Sequence, residues 1–347
     1  MGGAIMIALA LACREVMIAS AKILSVTLLA ATIAGAAMFG SAKSNAAETP
    51  KVTIVVFTPP SLGAVFPAII KQQKYDIANG IDISFVERPP DAYAAQFNSG
   101  EFKVGGSASV LILGLGNTRG IKISYLFNLF DYWGTAVTNR SDIKTLADLK
   151  GKQIAAAKGT TNFTVFEWFA QQQGVDPKSL QVLNTATPGL LGYALADRAD
   201  AVQIWEPAYS MLLAKRPGIH AIDLNITRVW HDYAGGDFFP NLGVAAHQDW
   251  IEQNRELIPR LYRAYKQAAG WVVAHPAEAA PLVAPVKEDG ERKAIADMIH
   301  DNSRLAMNLY PASRAMKEIE AVYRMGIAVG LFKALPDATS VYGGKLE

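Results

Sequence analysis

Apolar and polar positions alternate along this chain with two periods that take turns. Lys51-Val52-Thr53-Ile54-Val55-Val56-Phe57 is a β-branched run and predicts a strand. Thr58-Pro59-Pro60-Ser61-Leu62-Gly63 breaks it, and a helix is expected from Val65 to Tyr75. Gly80 ends that region, and Ile81 to Val86 alternates as a second strand. A short helix from Tyr93 to Ser99 stops at Gly100. Lys103 to Gly106 reads as a strand that runs into Ser107-Ala108-Ser109, followed by a helix from Val110 to Leu115 and a strand from Ile121 to Leu126. Such alternation predicts a parallel-type α/β sheet covered on both faces.

The pattern then restarts. Strands are expected at Gly134 to Thr138, Lys152 to Ala156, Leu180 to Leu183 and Ala201 to Trp205. Between them lie a helical turn at Leu146 to Lys150 and helices from Phe163 to Gln173, Gly189 to Leu195 and Ala208 to Lys215. Pro188 suits the first turn of its helix. After a short strand at Leu242 to Ala246, long amphipathic helices take over: Glu256 to Val273, Glu278 to Val283, Glu291 to Asn308 and Ser313 to Val329.

The N-terminal stretch has a different character. Ile23 to Phe39 is apolar apart from small Ser, Thr and Gly, and Lys22 stands just before it. A short basic lead and an apolar run read as a signal peptide over residues 1–46, with Met17 as a cleaner start than Met1. Cleavage is expected near Ala42 or Ala46, which places the mature protein in the periplasm. The single cysteine, Cys13, falls inside that leader. The net charge of +2 also comes from it, since without Arg14, Glu15, Lys22 and Lys43 the chain carries 30 basic and 30 acidic residues. A neutral balance gives no support for nucleic-acid binding. The five histidines show no metal-site spacing, and neither a phosphate loop nor a nucleophile elbow is present, so no metal, cofactor or catalytic residue is expected.

Four phrases, in order, carry a family resemblance. They are Gln96 to Val104 (QFNSGEFKV), Leu146 to Ala155 (LADLKGKQIA), Arg198 to Pro207 (RADAVQIWEP) and Trp271 to Ala280 (WVVAHPAEAA). Together the chain resembles the periplasmic binding proteins of the nitrate, sulfonate and taurine class, within the type II solute-binding fold. The resemblance implies two α/β lobes joined by two hinge crossings, a ligand between the lobes, a helical C-terminal region, and ABC transporter permease subunits as partners of a monomer. The crossings are expected at Thr135 to Thr138 and Leu242 to Ala246, giving one lobe of 48–135 plus 243–347 and a second of 136–241.

Loops that follow strands in such a sheet face a crevice with free helix-start amides. The candidate ligand contacts are therefore Thr58, Ser61 and Leu62 in the first loop, and Ser107 and Ser109 in the second, for which helix capping is the alternative. Thr160, Thr161 and Asn162 head a helix in the third, where a helix dipole, backbone donors and hydroxyls converge. Trp205 and Glu206 end a strand in the fourth, with core packing and a first-turn charge as the alternative. Aromatic clusters near the crossings add Asp131, Tyr132, Trp133 and Asp237. Aromatic walls and several acids favour a small organic solute containing nitrogen or sulfur over an inorganic or sulfonate anion. The competing function is a pyrimidine-synthase-like enzyme on the same fold, against which the leader argues.

Overall fold

The computed structural model describes residues 48–347, so the expected leader, with Cys13 and the expected cleavage positions, lies outside the described residues. Two sheets organise residues 49–347. The first has six strands in the order β11-β4-β10-β3-β1-β2, formed by β1 (Lys51–Phe57), β2 (Asp82–Arg88), β3 (Val104–Ser109), β4 (Ile123–Asp131), β10 (Pro240–His247) and β11 (Met307–Pro311). The second has five, in the order β7-β6-β8-β5-β9, formed by β5 (Thr135–Thr138), β6 (Gln153–Ala156), β7 (Gln181–Asn184), β8 (Ala201–Ile204) and β9 (His220–Ala221).

The alternation in the sequence predicts parallel strands, and the β1–β2, β1–β3, β6–β7 and β6–β8 pairs are parallel. Both sheets are nevertheless mixed. β10 runs antiparallel between β3 and β4, and β5 is antiparallel to β8. The cause is the chain path: it leaves the first sheet after β4, builds the second, and re-enters the first in the opposite sense as β10. β4 is buried along nearly its whole length, from Ile123 to Phe130, as expected of a central strand covered on both faces.

The segments expected to be crossings are strands inside the sheets. Thr135–Thr138 is β5 of the second sheet, and Leu242 to Ala246 lies within β10 of the first. The exchange is made by Tyr132 to Gly134 and by residues 235–239, and the Tyr132 amide donates to the Phe239 carbonyl at 2.8 Å, tying the two segments together. Several elements differ from the sequence reading. The expected helix from Glu291 to Asn308 ends at Asp301, because Asn302 takes a left-handed conformation (φ 55°) whose amide closes on the Met298 carbonyl, and β11 follows. A helix at Ile226–Ala234, which the sequence did not announce, buries only Trp230.

One face of the first sheet packs under helices Val65–Gln72 and Leu257–Ala274 through Phe66, Phe127, Phe130, Tyr262 and Tyr265. A second core on its other face extends between the sheets. There Tyr132, Phe169, Trp168, Trp230 and Phe239 meet, with the Trp230 and Phe239 rings parallel at 3.8 Å. The crossings therefore run through a block of aromatic rings that belongs to both halves.

Candidate functional site

Two concavities lie along the line where the sheets meet, and all the candidate contacts singled out from the sequence except Thr58 and Glu206 line one or the other. The first is an interlobe cleft of about 220 Å³. The first sheet's side supplies Ser61, Leu62, Phe97, Ser107, Ser109 and Ile112, and the second sheet's side supplies Gly159, Thr160, Thr161, Asn162, Thr187 and Trp205. Eight expected contacts thus come together here: Ser61, Leu62, Ser107, Ser109, Thr160, Thr161, Asn162 and Trp205.

Their hydroxyls do different things. Ser107 is not in a loop but inside β3, with its side chain 1 % exposed. Its hydroxyl accepts from the Phe57 amide at 2.9 Å and donates to the Gly63 carbonyl at 3.1 Å. It staples the loop after β1 onto the end of β3, and an added Cβ at Gly63 would overlap it. Ser107 therefore shapes the cleft without a hydroxyl to spare. Thr160 is likewise committed: it accepts from the Phe163 amide at 3.3 Å as the N-cap of helix Thr161–Gln172 and donates to the Ala157 carbonyl at 2.8 Å. Neither serine caps helix Val110–Thr118, because Ser109, which stands at its N-cap, makes no capping bond.

Ser61 and Ser109 are the exceptions. Both hydroxyl oxygens are buried and find no hydrogen-bond partner in the protein. Buried polar groups are overwhelmingly paired, and with Tyr93, whose buried hydroxyl also lines the cleft without a partner, they give this wall three hydroxyls that a molecule in the cleft can satisfy. Facing them is the start of helix Thr161–Gln172, whose first amides have no partner within the helix and carry the positive end of its dipole. Apolar wall comes from Leu62, Phe97, Ile112, Leu113 and Trp205. Among the described residues lining the cleft there is no Lys, Arg or His, and Asp91, exposed at the start of helix Pro90–Asn98, is the one carboxylate. Lys158 and Arg88, the basic residues beside the cleft loops in sequence, are not in its lining; Arg88 bonds Gln96 at 2.7 Å and covers the Phe102 ring.

The remaining expected contacts do not line this cleft. Thr58 is exposed, and its amide continues the β1–β2 ladder to the Arg88 carbonyl. Asp131, Tyr132, Trp133 and Asp237 border the second concavity, an open groove of about 510 Å³ behind the first crossing. Asp131 is fully engaged there, accepting from Tyr310 at 2.6 Å, Asn308 at 2.7 Å and Asn128 at 3.1 Å. Burial nevertheless pushes its carboxyl up to about 6, against the pull of those three donors. Trp133 stacks on Tyr209, 5.5 Å between centroids, and Asp237 pairs with His231 on the surface. Glu206 is 1 % exposed and bound to Arg304 and Ser210. Burial raises its carboxyl above the usual range, while Arg304 and Ser210 pull it back. Asp131, Tyr132, Trp133 and Asp237, expected from their closeness to the crossings in sequence, thus border the groove beside the aromatic block and are not in the lining of the cleft.

A cleft between two mixed α/β sheets, entered by helix starts and unpaired hydroxyls, defines a two-lobed periplasmic-binding-protein fold. The chain belongs to the NMT1/THI5-like family, whose profile matches residues 71–279. Among solved structures it is similar to the alkanesulfonate-binding protein SsuA from Xanthomonas axonopodis pv. citri bound to MOPS, with a TM-score of 0.68 and 17 % identity, covering 86 % of this chain and 99 % of that one. It is also similar to the periplasmic aliphatic sulphonate binding protein SsuA from Escherichia coli, with a TM-score of 0.65 and 19 % identity over 86 % and 95 % of the two chains. At such identity these likenesses establish the fold. A Brucella abortus (strain 2308) relative named as a binding protein is 22 % identical over 152 residues, 43 % of this chain and 44 % of that protein, so the match spans less than half of the relative's length.

Proposed function

We propose that this protein is the extracytoplasmic solute-binding component of an ABC importer, exported to the periplasm by its 1–46 leader. In this reading it holds a small organic solute between a lobe of 48–135 plus 243–347 and a lobe of 136–241, and delivers it to membrane permease subunits. The observation that carries it is the pairing of unpartnered Ser61 and Ser109 hydroxyls on one wall with the open helix start at Thr161 and Asn162 on the other. Each wall offers polar groups that only a molecule between them can satisfy. A volume of about 220 Å³ is below the roughly 300–1,000 Å³ of drug-sized sites and suits a small solute. An oxygen acceptor, neutral or singly charged, fits the amides, and an apolar body fits Leu62, Phe97, Ile112 and Trp205. The names of the sulfonate-binding structural relatives agree with an oxyanion end of that kind.

Native mass spectrometry of the purified protein, before and after denaturation, tests this. The expected result is a non-covalent mass increment that denaturation releases and that stays chemically unchanged on prolonged incubation. A time-dependent change in the released molecule, abolished by Ser109→Ala, would instead make the chain an enzyme of this family.

A further inference from the structure

Outside the linings of both concavities, an ion pair with a buried carboxylate joins the second sheet's side to the first sheet's side. Glu206 follows Trp205 at the end of β8 in the second sheet, and Trp205 lines the cleft. Arg304 lies between helix Asp289–Asp301 and β11, which belongs to the first sheet. Their side chains meet at 2.9 Å, Arg304 Nε to Glu206 Oε1, with the Glu206 side chain 1 % exposed. The other carboxylate oxygen accepts from the Ser210 amide at 3.0 Å, and the Ser210 hydroxyl donates to Oε1 at 3.0 Å. The guanidinium covers the Tyr209 ring at 5.3 Å, and Tyr209 also stacks on Trp133 of the first crossing. Two residues beyond Arg304, the Ala306 carbonyl accepts from the Asp131 amide at 2.8 Å, where β4 gives way to that crossing.

We infer that Glu206 and Arg304 form a latch between the lobes, a charged connection beside the crossings and the aromatic block, and that this latch sets the angle of the cleft and the position of Trp205. This rests on the reading of the cleft as the solute site. A carboxylate buried this deeply is tolerated only while paired, so the lobes cannot part at this point without stranding a charge. Because Glu206 and Trp205 are adjacent in one rigid turn, with the Tyr209 amide bonded to the Trp205 carbonyl at 3.1 Å, any rotation that breaks the pair also withdraws a cleft wall. Lys215 pairs with Glu288 at 3.2 Å and with Glu291 at 3.3 Å between the same two helical layers. Lys215 is exposed to much the same extent as Arg304 and Glu291 is buried, so this is a second tie of the same kind, with Glu288 its solvent-facing member.

The test measures lobe separation without a solute. Cys13 is the single cysteine of the chain, so a Cys13→Ser background accepts spin labels at Ala95→Cys, on the exposed side of helix Pro90–Asn98, and at Lys178→Cys before β7. Pulsed electron resonance on the full chain should give a narrow interlobe distance. The double variant Glu206→Gln with Arg304→Met leaves no buried lone charge; it should at least double the width of the distribution and move its mean outward. Arg304→Lys, which keeps the charge but loses the fork, should give an intermediate width and covers the case in which the double variant does not fold. Lys293→Ala, which breaks only an exposed pair with Asp297 within one helix, should leave the distribution unchanged. A wild-type distribution in a folded double variant, or in Arg304→Lys, overturns the latch. The distances are read without solute, so a negative result in the mass measurement leaves this outcome separate. Where a solute is retained by the wild type, its dissociation from the double variant should be about tenfold faster, with association changed less.

Discussion

Ser109→Ala should act with opposite signs on stability and on binding. Its hydroxyl is buried at the junction of β3 and helix Val110–Thr118, at φ −78° and ψ 129°, a conformation open to alanine. A desolvated hydroxyl with no partner costs about 1–3 kcal/mol, so removing it should stabilise the solute-free protein by on the order of 1 kcal/mol. In a chain of this size that is a rise in Tm of about 2 °C. The same change removes one contact to the solute. A neutral hydrogen bond contributes about 0.5–1.5 kcal/mol, a loss of roughly 2- to 13-fold in affinity, whereas a bond to an ionised acceptor contributes about 1.5–3 kcal/mol, roughly 13-fold to more than 100-fold. The size of the loss therefore reports the charge of the solute's polar end. Scanning calorimetry without solute and titration calorimetry with the released solute measure the two effects. A fall of several degrees in Tm with unchanged affinity would refute the reasoning, because it would mean that the hydroxyl serves the fold.

Three further outcomes follow from the same geometry. Thr160→Ala should lower stability by about 1 kcal/mol as a lost N-cap, whereas Thr161→Ala should leave Tm within a degree and weaken solute binding; denaturant titration beside calorimetry separates the neighbours. Trp230→Ala should cost about 3–5 kcal/mol, since it removes a ring stacked on Phe239 and packed on Trp168, and a urea midpoint within error of the wild type would contradict the aromatic block. The Asp131 carboxyl, raised by burial, should titrate near pH 6 in carboxyl-carbon NMR. Its folded value lies above its unfolded one, so the native state holds the extra proton between them, and the Asp131 contribution to stability declines as pH rises from about 4 to about 6. A midpoint below 4 would refute it.

Element types were legible where periodicity and punctuation coincided. Helix Ala208–Lys215 has the bounds that the Glu206-Pro207 opening suggests, and Gly174 does follow helix Thr161–Gln172. What stayed hidden was decided by contacts distant in sequence. β11 pairs with β4 some 180 residues away, and its own five residues, Met307–Pro311, continue an apolar spacing that looks helical. The helix at Ile226–Ala234 is preceded by Asn225, a common capping residue type, but Asn225 enters from a left-handed conformation and makes no cap bond. For the site, strand ends named the right loops but not which hydroxyls were free. Ser107 and Ser109 are two residues apart on one strand, so they point to the same face, yet only Ser107 reaches the Gly63 carbonyl. Glu206 drew attention as a charge at a strand end, and its partner Arg304, 98 residues on, carried no signal that tied it there.

The distribution of charge explains how such a cleft can be selective. Burying a full ionic partner in it would require desolvating that group in the solute-free state, at a cost of several kcal/mol. Fixed amides and hydroxyls avoid that cost, since a helix start contributes about 0.3–1 kcal/mol toward an anion and at most about 2 in buried geometry. Donors this modest cannot hold a solute by charge alone, because stripping water from a dianion would exceed what they return. They can hold one whose polar end is small and whose remainder covers the apolar wall of Leu62, Phe97, Ile112 and Trp205. Full charges are placed one turn away instead, in the Glu206–Arg304 pair that joins the lobes, where they act on the cleft's shape and not on its occupant. Binding and closure are thereby assigned to different residues, so that a substitution at Ser109 should change affinity without altering lobe separation, and one at Arg304 should change lobe separation first.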